Sequence, residues 1–210
     1  MSISSELLTL NTTKQNIKTA INLKGVTVND EPFADYPDKI RLIPSGGGNY
    51  ESNIILYIEG TLENVIIPSN TTTIGDCAFM NFEHLETVTV PNGVEVIGKN
   101  AFETCSGVPS TLPNSVTTIG NYAFSYNSNY MTTFTIPANV TSIGEGAFYY
   151  NTGLTSITCL ATVPPSLGSG PVGVFDTTNN CPIYVPAASV LAYQTATGWI
   201  DYASRITAIP

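Results

Sequence analysis

Charge is scarce in this 210-residue chain: Asp, Glu, Lys and Arg make up 11% of it, against 42% apolar and 10% aromatic residues. An apolar content of that size is ordinary for a packed domain, so the low charge does not signal disorder. It signals a surface of Thr, Ser, Asn and Tyr. The charge present is mostly of one sign, with a formal net charge of −9. Residues 1–43 are neutral, with five acids and five bases, and beyond them Lys99 and Arg205 are the only bases. Without clustered Lys and Arg a phosphate backbone is not neutralised, which excludes a nucleic-acid partner, and the acidity disfavours anionic membranes. No apolar run is long enough to span a bilayer, so membrane insertion is not expected. The opening MSISSELLTLNTTKQ lacks a basic segment followed by an apolar one, so no secretion signal is expected.

Histidine occurs once, as His84, and the four cysteines (Cys77, Cys105, Cys159, Cys181) form no C-x-x-C pair. A zinc site would need an unusual ligand set, so neither metal nor cofactor is expected. Buried free thiols are the simplest reading of the cysteines; spacing does not decide whether Cys159 and Cys181 are bridged. His84 follows Asn81-Phe82-Glu83 with no serine motif nearby and reads as an exposed loop residue. Glu83 and Glu86 flank it and read as solvated acids, although spacing alone leaves an acid/base pair open. GSGPVG (Gly168–Gly173) lacks the Lys and the following helix of a phosphate loop and reads as a turn. Catalysis is therefore not expected.

What is present is a repeat. The string I-G-x-x-A-F occurs at Ile74–Phe79, Ile97–Phe102, Ile119–Phe124 and Ile143–Phe148, in steps of 23, 22 and 24 residues. Pro68, Pro91, Pro113 and Pro137 each lie six residues before the Ile. Val94, Val116 and Val140 come three after the proline, with Thr71 in the first copy. Leu85, Val108, Tyr130 and Leu154 come six after Phe, with Met131 an alternative to Tyr130. Segments such as Thr87–Pro91 alternate apolar and polar residues, so one short strand per coil is expected, ended by a proline that cannot continue the ladder. Gly75, Gly98, Gly120 and Gly144 are expected to supply a positive φ. The Phe residues are expected to stack in a column beside a parallel sheet, because one repeat cannot close a core and stacked copies can. Phe102 and Phe124 should be buried, with Ile97 and Ile119 beside them.

The pattern V-x-x-I-G-x-x-A-F-x-x-C/N-x-x-L-T-x-I/V with an upstream proline resembles the BspA-type leucine-rich repeat, over about residues 63–186. The resemblance implies an α+β leucine-rich-repeat solenoid and a role in adhesion, on bacterial surface proteins or phage proteins. Cys181–Ile206 is similar to the closing segment of such arrays. Read physically, Ile183–Val185 is a last strand stopped by Pro186, and Val190, Leu191, Tyr193, Trp199 and Tyr202 cover the open end. Residues 160–180 break the proline step and read as a degenerate fifth coil with a loop.

The N-terminal 43 residues differ. Thr12 or Thr13 caps an expected helix over Lys14–Lys24, stopped by Gly25. A brief strand at Val26 and Val28 and a second short helix over Asp35–Ile43 follow, and PSGGGN leads into a linker. The expected organisation is a small, mostly helical module over 1–43, a Gly-rich linker over 44–50, and a solenoid over 51–210 with its cap from about 181. So small a core folds best against a partner or its own copies. The segments Thr13–Val28 and Pro32–Ile40 resemble a short module of phage tail and fibre proteins. That resemblance implies attachment to other virion proteins and a homo-oligomer, as a trimer; the neutral charge of the segment fits an apolar contact through Ile17, Ile21, Val26 and Phe33 better than an electrostatic one.

One surface cluster suits recognition. Tyr126, Tyr130, Tyr149 and Tyr150, with Tyr122, fall in the third and fourth repeats, and Asn127 and Asn151 lie among them. Tyr126 and Tyr150 share one repeat position, so they should be neighbours. Tyrosine gives a large contact area and a hydroxyl at low entropy cost, which fits a host surface protein or glycan; packing on adjoining coils is the other reading. The expected function is a non-catalytic virion fibre or decoration protein, with a bacterial surface or secreted adhesin as the alternative.

Overall fold

The computed structural model describes residues 40–43, 55–58, 64–67, 69–82, 85 and 87–210. Two compact units divide the chain, Met1–Ile40 and Arg41–Pro210. The helix expected over Lys14–Lys24, the strand at Val26 and Val28, the anchoring residues Ile17, Ile21, Val26 and Phe33, and the linker lie outside the described residues. Within the span read as a second short helix, Ile40–Ile43 is instead strand β1, paired with β2 (Ile55–Ile58). Its sequence IRLI carries β-branched Ile at both ends, which favours extended backbone.

The regular coils give two short strands, not the one expected, except the third, which keeps only the strand beyond its proline. The segment before the proline forms β3 (Asn64–Ile66), β5 (Thr87–Thr89), β8 (Thr133–Ile136), β10 (Ser156–Cys159) and β12 (Ile183–Val185). The Val-x-x-Ile segment beyond it also runs extended, as β4 (Thr73–Ile74), β6 (Val96–Ile97), β7 (Thr118–Ile119), β9 (Ser142–Ile143) and β11 (Ser166–Leu167). Strands β4, β6, β7, β9 and β11 form one continuous parallel sheet; β8, β10, β12 and a last strand, β13 (Ile206–Ala208), form another; β3 and β5 pair separately. The second strand arises because the Ile must point inward while its neighbouring amides bond across coils. Gly98, Gly120 and Gly144 N–H donate to Ile74, Ile97 and Ile119 carbonyls, each at 2.8 Å.

Stacking explains the core. Phe79, Phe102, Phe124, Phe148 and Phe175 form a fully buried column with centroid separations of 4.9, 5.3, 5.5 and 5.6 Å and near-parallel rings. Ile97 and Ile119 are buried beside it, as are Val94, Val116 and Val140. Phe175 continues the column through the irregular fifth coil. Met131, not Tyr130, fills the interior in the copy with the insertion. Thr71 replaces the core Val in the first copy, and among the described residues its Oγ1 is the only buried side-chain polar atom without a hydrogen-bond partner.

The repeat glycines do not act through positive φ. Among the described glycines only Gly146 and Gly198 have it. Gly98, Gly120 and Gly144 are needed for close approach: a Cβ on Gly120 would stand 2.7 Å from the Gly98 carbonyl carbon, and one on Gly144 2.4 Å from the Asn121 N. The left-handed conformations fall elsewhere in each coil, at Cys77, Asn100, Tyr122 and Gly146 before the Ala, and at Asn81, Thr104, Tyr126 and Tyr150 after the Phe. These kinks let alternate amides reach the next coil, as when Cys77, Phe79 and Asn81 N–H donate to Lys99, Ala101 and Glu103 carbonyls at 2.8, 2.7 and 2.9 Å.

The open end is closed by α1 (Val190–Thr195), a 3-10 segment over Trp199–Arg205, and β13. Trp199 Nε1 donates to the Pro165 carbonyl at 2.7 Å, and Tyr193 Oη to the Ala161 carbonyl at 2.8 Å. Leu191, expected in the cap interior, is 72% exposed. In a helix of six residues the buried side is fixed by Tyr193, and a residue two positions away points to the opposite side. β13 extends the sheet beyond β12, and Gln194 Nε2 donates to its Ile206 carbonyl at 3.1 Å. All four cysteines are free: Cys105, Cys159 and Cys181 are buried, whereas Cys77 is exposed. Cys159 Sγ lies 3.2 Å from Tyr193 Oη, a contact that occupies the thiol without a bridge to Cys181.

Candidate functional site

Of the four left-handed positions in the third and fourth coils, all but Gly146 carry tyrosine. Tyr122, Tyr126 and Tyr150 have φ of 56°, 60° and 56°. Such a conformation costs a bulky L-residue about 1–2 kcal/mol. The first two coils put Asn81 and Thr104 where the third and fourth put Tyr126 and Tyr150. Because the coils stack, the Tyr126 and Tyr150 rings come to 5.2 Å between centroids, and they are 43% and 45% exposed. Tyr149, half-buried, meets Tyr126 edge-on at 5.4 Å and Tyr150 at 5.9 Å. Tyr122 Oη donates to Glu145 Oε1 at 3.1 Å. Gly146 makes room for its ring, since a Cβ there would fall 2.4 Å from Tyr122 Cε1.

Two further residues belong to this surface. Glu145 holds Tyr122 and also accepts from the Val172 N–H at 3.4 Å, tying the 168–173 turn to the patch. Desolvation first, then the hydrogen bond and charge of Glu145, raise the Tyr122 phenol. Desolvation, the Tyr149 neighbour and the charge of Glu103 raise Tyr126. Both phenols are therefore neutral across the physiological range. Neither acid stands out from the motif, but both fall in columns readable from the repeat. Glu145 occupies the position of Asp76 and Lys99, and Glu103 that of Tyr149.

The other residues expected here lie elsewhere. Tyr130 is 43% exposed, yet no ring contact joins it to the cluster. Asn127 and Asn151 are fully buried, so they present no surface for recognition. They sit three residues after Phe, where the chain turns inward. Asn127 Oδ1 accepts from Cys105 N–H at 2.7 Å, and its Nδ2 donates to the Phe102 and Phe124 carbonyls at 2.8 and 3.0 Å. Asn151 repeats the arrangement on Asn127 N–H, Phe124 and Phe148 at 2.7, 2.8 and 2.8 Å. This amide column satisfies main-chain groups that the turns leave unpaired. His84, Glu83 and Glu86 lie outside the described residues. Among the described residues no group of three His, Cys, Asp or Glu side chains could hold a metal, and no helix is long and apolar enough to cross a membrane.

The repeat seen in the geometry is also a family signature. The sequence matches the BspA type leucine rich repeat region in six copies over residues 54–166. The chain belongs to the BspA-type leucine-rich-repeat family. Proteins of this kind are generally interaction scaffolds. Its fold is similar to that of the pneumococcal vaccine antigen PcpA, at 17% identity and a TM-score of 0.49, over 77% of this chain and 47% of that one. It is also similar to a leucine-rich repeat protein from Bacteroides ovatus, at 25% identity and a TM-score of 0.41, over 58% of this chain and 39% of that one. The chain thus spans less than half the length of either. No curated protein matches it.

Proposed function

We propose that this BspA-type chain is a non-catalytic recognition module whose repeats are displayed for adhesion, with Tyr122, Tyr126, Tyr149 and Tyr150 as the contact surface. The observation that carries this reading is the placement of exposed tyrosines at left-handed positions. Local backbone strain that Gly or Asn would relieve is kept where a function needs the side chain, and Asn81 fills the equivalent corner of the first coil. Phenol rings with hydroxyls, flanked by Glu103 and Glu145 on an acidic body, suit a neutral or basic host surface protein or glycan and repel polyanions. The double substitution Tyr126→Asn, Tyr150→Asn tests it, because Asn accepts the conformation. The variant should fold as well as the parent and lose adhesion at least tenfold to host cells and glycan arrays; adhesion equal to the parent's refutes the patch.

The setting is proposed with the module. Residues 1–43 attach the chain to a virion, through Ile17, Ile21, Val26 and Phe33, and assemble it as a trimer; a bacterial surface or secreted adhesin is the alternative. Deleting residues 1–43 should leave the repeats folded and abolish incorporation into particles. Normal incorporation of the truncated chain would refute the virion attachment. Sedimentation of the full chain as a monomer would refute the trimer.

A further inference from the structure

The sheet that runs along the pre-proline strands has one break. β5 pairs with β3 on one side, and β8 with β10 on the other, but the third coil supplies no strand between β5 and β8. It contributes only an isolated bridge, Thr111 to Thr135. The cause lies in the sequence Gly107-Val108-Pro109-Ser110. Val88 N–H donates to the Gly107 carbonyl at 3.1 Å. Beyond that bond the third coil bulges away, and Pro109 has no N–H to offer β5. Ser110, which stands where the other coils bury Val88, Phe134 and Ile157, is exposed.

The bulge leaves a groove of about 470 Å³ between Thr87–Val90 and Gly107–Pro113. In a parallel strand alternate residues turn both main-chain groups to the same neighbour. The Val88 carbonyl and the Val90 N–H and carbonyl therefore face the groove, and among the described residues no backbone group of the third coil bonds to them. The lining contains no ionisable side chain; its polar groups are hydroxyls such as Thr89 and Thr111 and the Asn92 amide, and its walls include Val108, Pro109 and Leu112.

We propose that this groove binds a short, uncharged, extended peptide, which pairs as an added strand with the Val88 carbonyl and the Val90 N–H and carbonyl. Main-chain pairing gives the affinity, and the apolar walls take alternate side chains, the usual division of labour in strand addition. The absence of any charged group in the lining rules out selection by charge and leaves the strand-edge pattern of donor and acceptor as the recognition element. The site is separate from the tyrosine patch and does not depend on it.

The test uses the full chain and amide NMR. The probe is the blocked pentapeptide Ac-Thr-Thr-Phe-Thr-Ile-NH2, the sequence of residues 132–136, which forms the regular strand one coil further on. It should shift the Val88 and Val90 amides saturably. The analogue Ac-Thr-Pro-Phe-Pro-Ile-NH2, which lacks two donors, should not. Thr89→Trp, which fills the groove from an exposed strand position, should weaken the pentapeptide at least tenfold with the unfolding temperature unchanged. No shift at Val88 and Val90, equal binding of the proline analogue, unchanged affinity of the Thr89→Trp variant, or the same shifts from N-acetylglucosamine would each overturn the proposal.

Discussion

Replacing Asn127 by Ala removes a fully buried polar side chain, and its loss should be among the most damaging in the molecule. Three hydrogen bonds disappear, to Cys105 N–H, Phe102 carbonyl and Phe124 carbonyl. The three orphaned groups do not fare alike. The Phe124 carbonyl keeps Asn151 Nδ2 at 2.8 Å. The Cys105 N–H and the Phe102 carbonyl keep no partner, and both belong to fully buried residues. Leaving a buried main-chain group unsatisfied costs about 1–3 kcal/mol, so the two together predict a loss of about 2–6 kcal/mol. Urea unfolding of the full chain, followed by circular dichroism, reads this as a lower midpoint at constant slope. The control is Asn129→Ala, two residues on and exposed, which should stay within about 0.5 kcal/mol of the parent. Amide exchange adds a local readout: Cys105 should lose protection before the Phe column does. If Asn127→Ala costs less than about 1 kcal/mol, or no more than Asn129→Ala, the amide column is not holding the turns and the argument fails.

Phe124→Ala opens a cavity between Phe102 and Phe148, with Phe134 at 4.8 Å on its flank, and should cost about 3–5 kcal/mol in the same assay; a loss under 1 kcal/mol would contradict a tightly stacked column. Gly120→Ala forces a Cβ to 2.7 Å from Gly98 backbone and should cost about 1–3 kcal/mol, more than Gly93→Ala, where the nearest contacts are backbone oxygens at 3.2 Å. Alkaline pH should destabilise the fold. Burial pushes the Cys105 thiol from 9.0 to about 12 and the Tyr202 phenol from 10.0 to about 12. The unfolded chain therefore releases protons that the folded chain still holds, so this stability is complete below pH 9 and declines as pH rises toward 12. A urea midpoint that is flat between pH 8 and pH 11 would refute it.

Most of the fold was legible because repetition multiplies a weak signal. A single Ile-Gly-x-x-Ala-Phe says little, but four copies fix which side chains face inward, since only residues stacked on their own kind can share one core. The Phe column, the buried Ile97 and Ile119, the last strand at Ile183–Val185 and the adjacency of Tyr126 and Tyr150 all follow from that register. Tertiary structure decided what spacing within one copy does not encode. Gly120 is required by the backbone of the neighbouring coil, not by its own φ, and that neighbour is more than twenty residues away. Asn127 and Asn151 look like surface polar residues in a Tyr- and Asn-rich stretch. They are interior because the turns they occupy leave main-chain groups that only a buried amide satisfies. Leu191 looks like cap core, but Tyr193 claims the inward side of a six-residue helix. Pro109 reads as one more loop proline; only the stacked coils show that it stands where β5 needed a strand partner, and that the missing N–H leaves a groove.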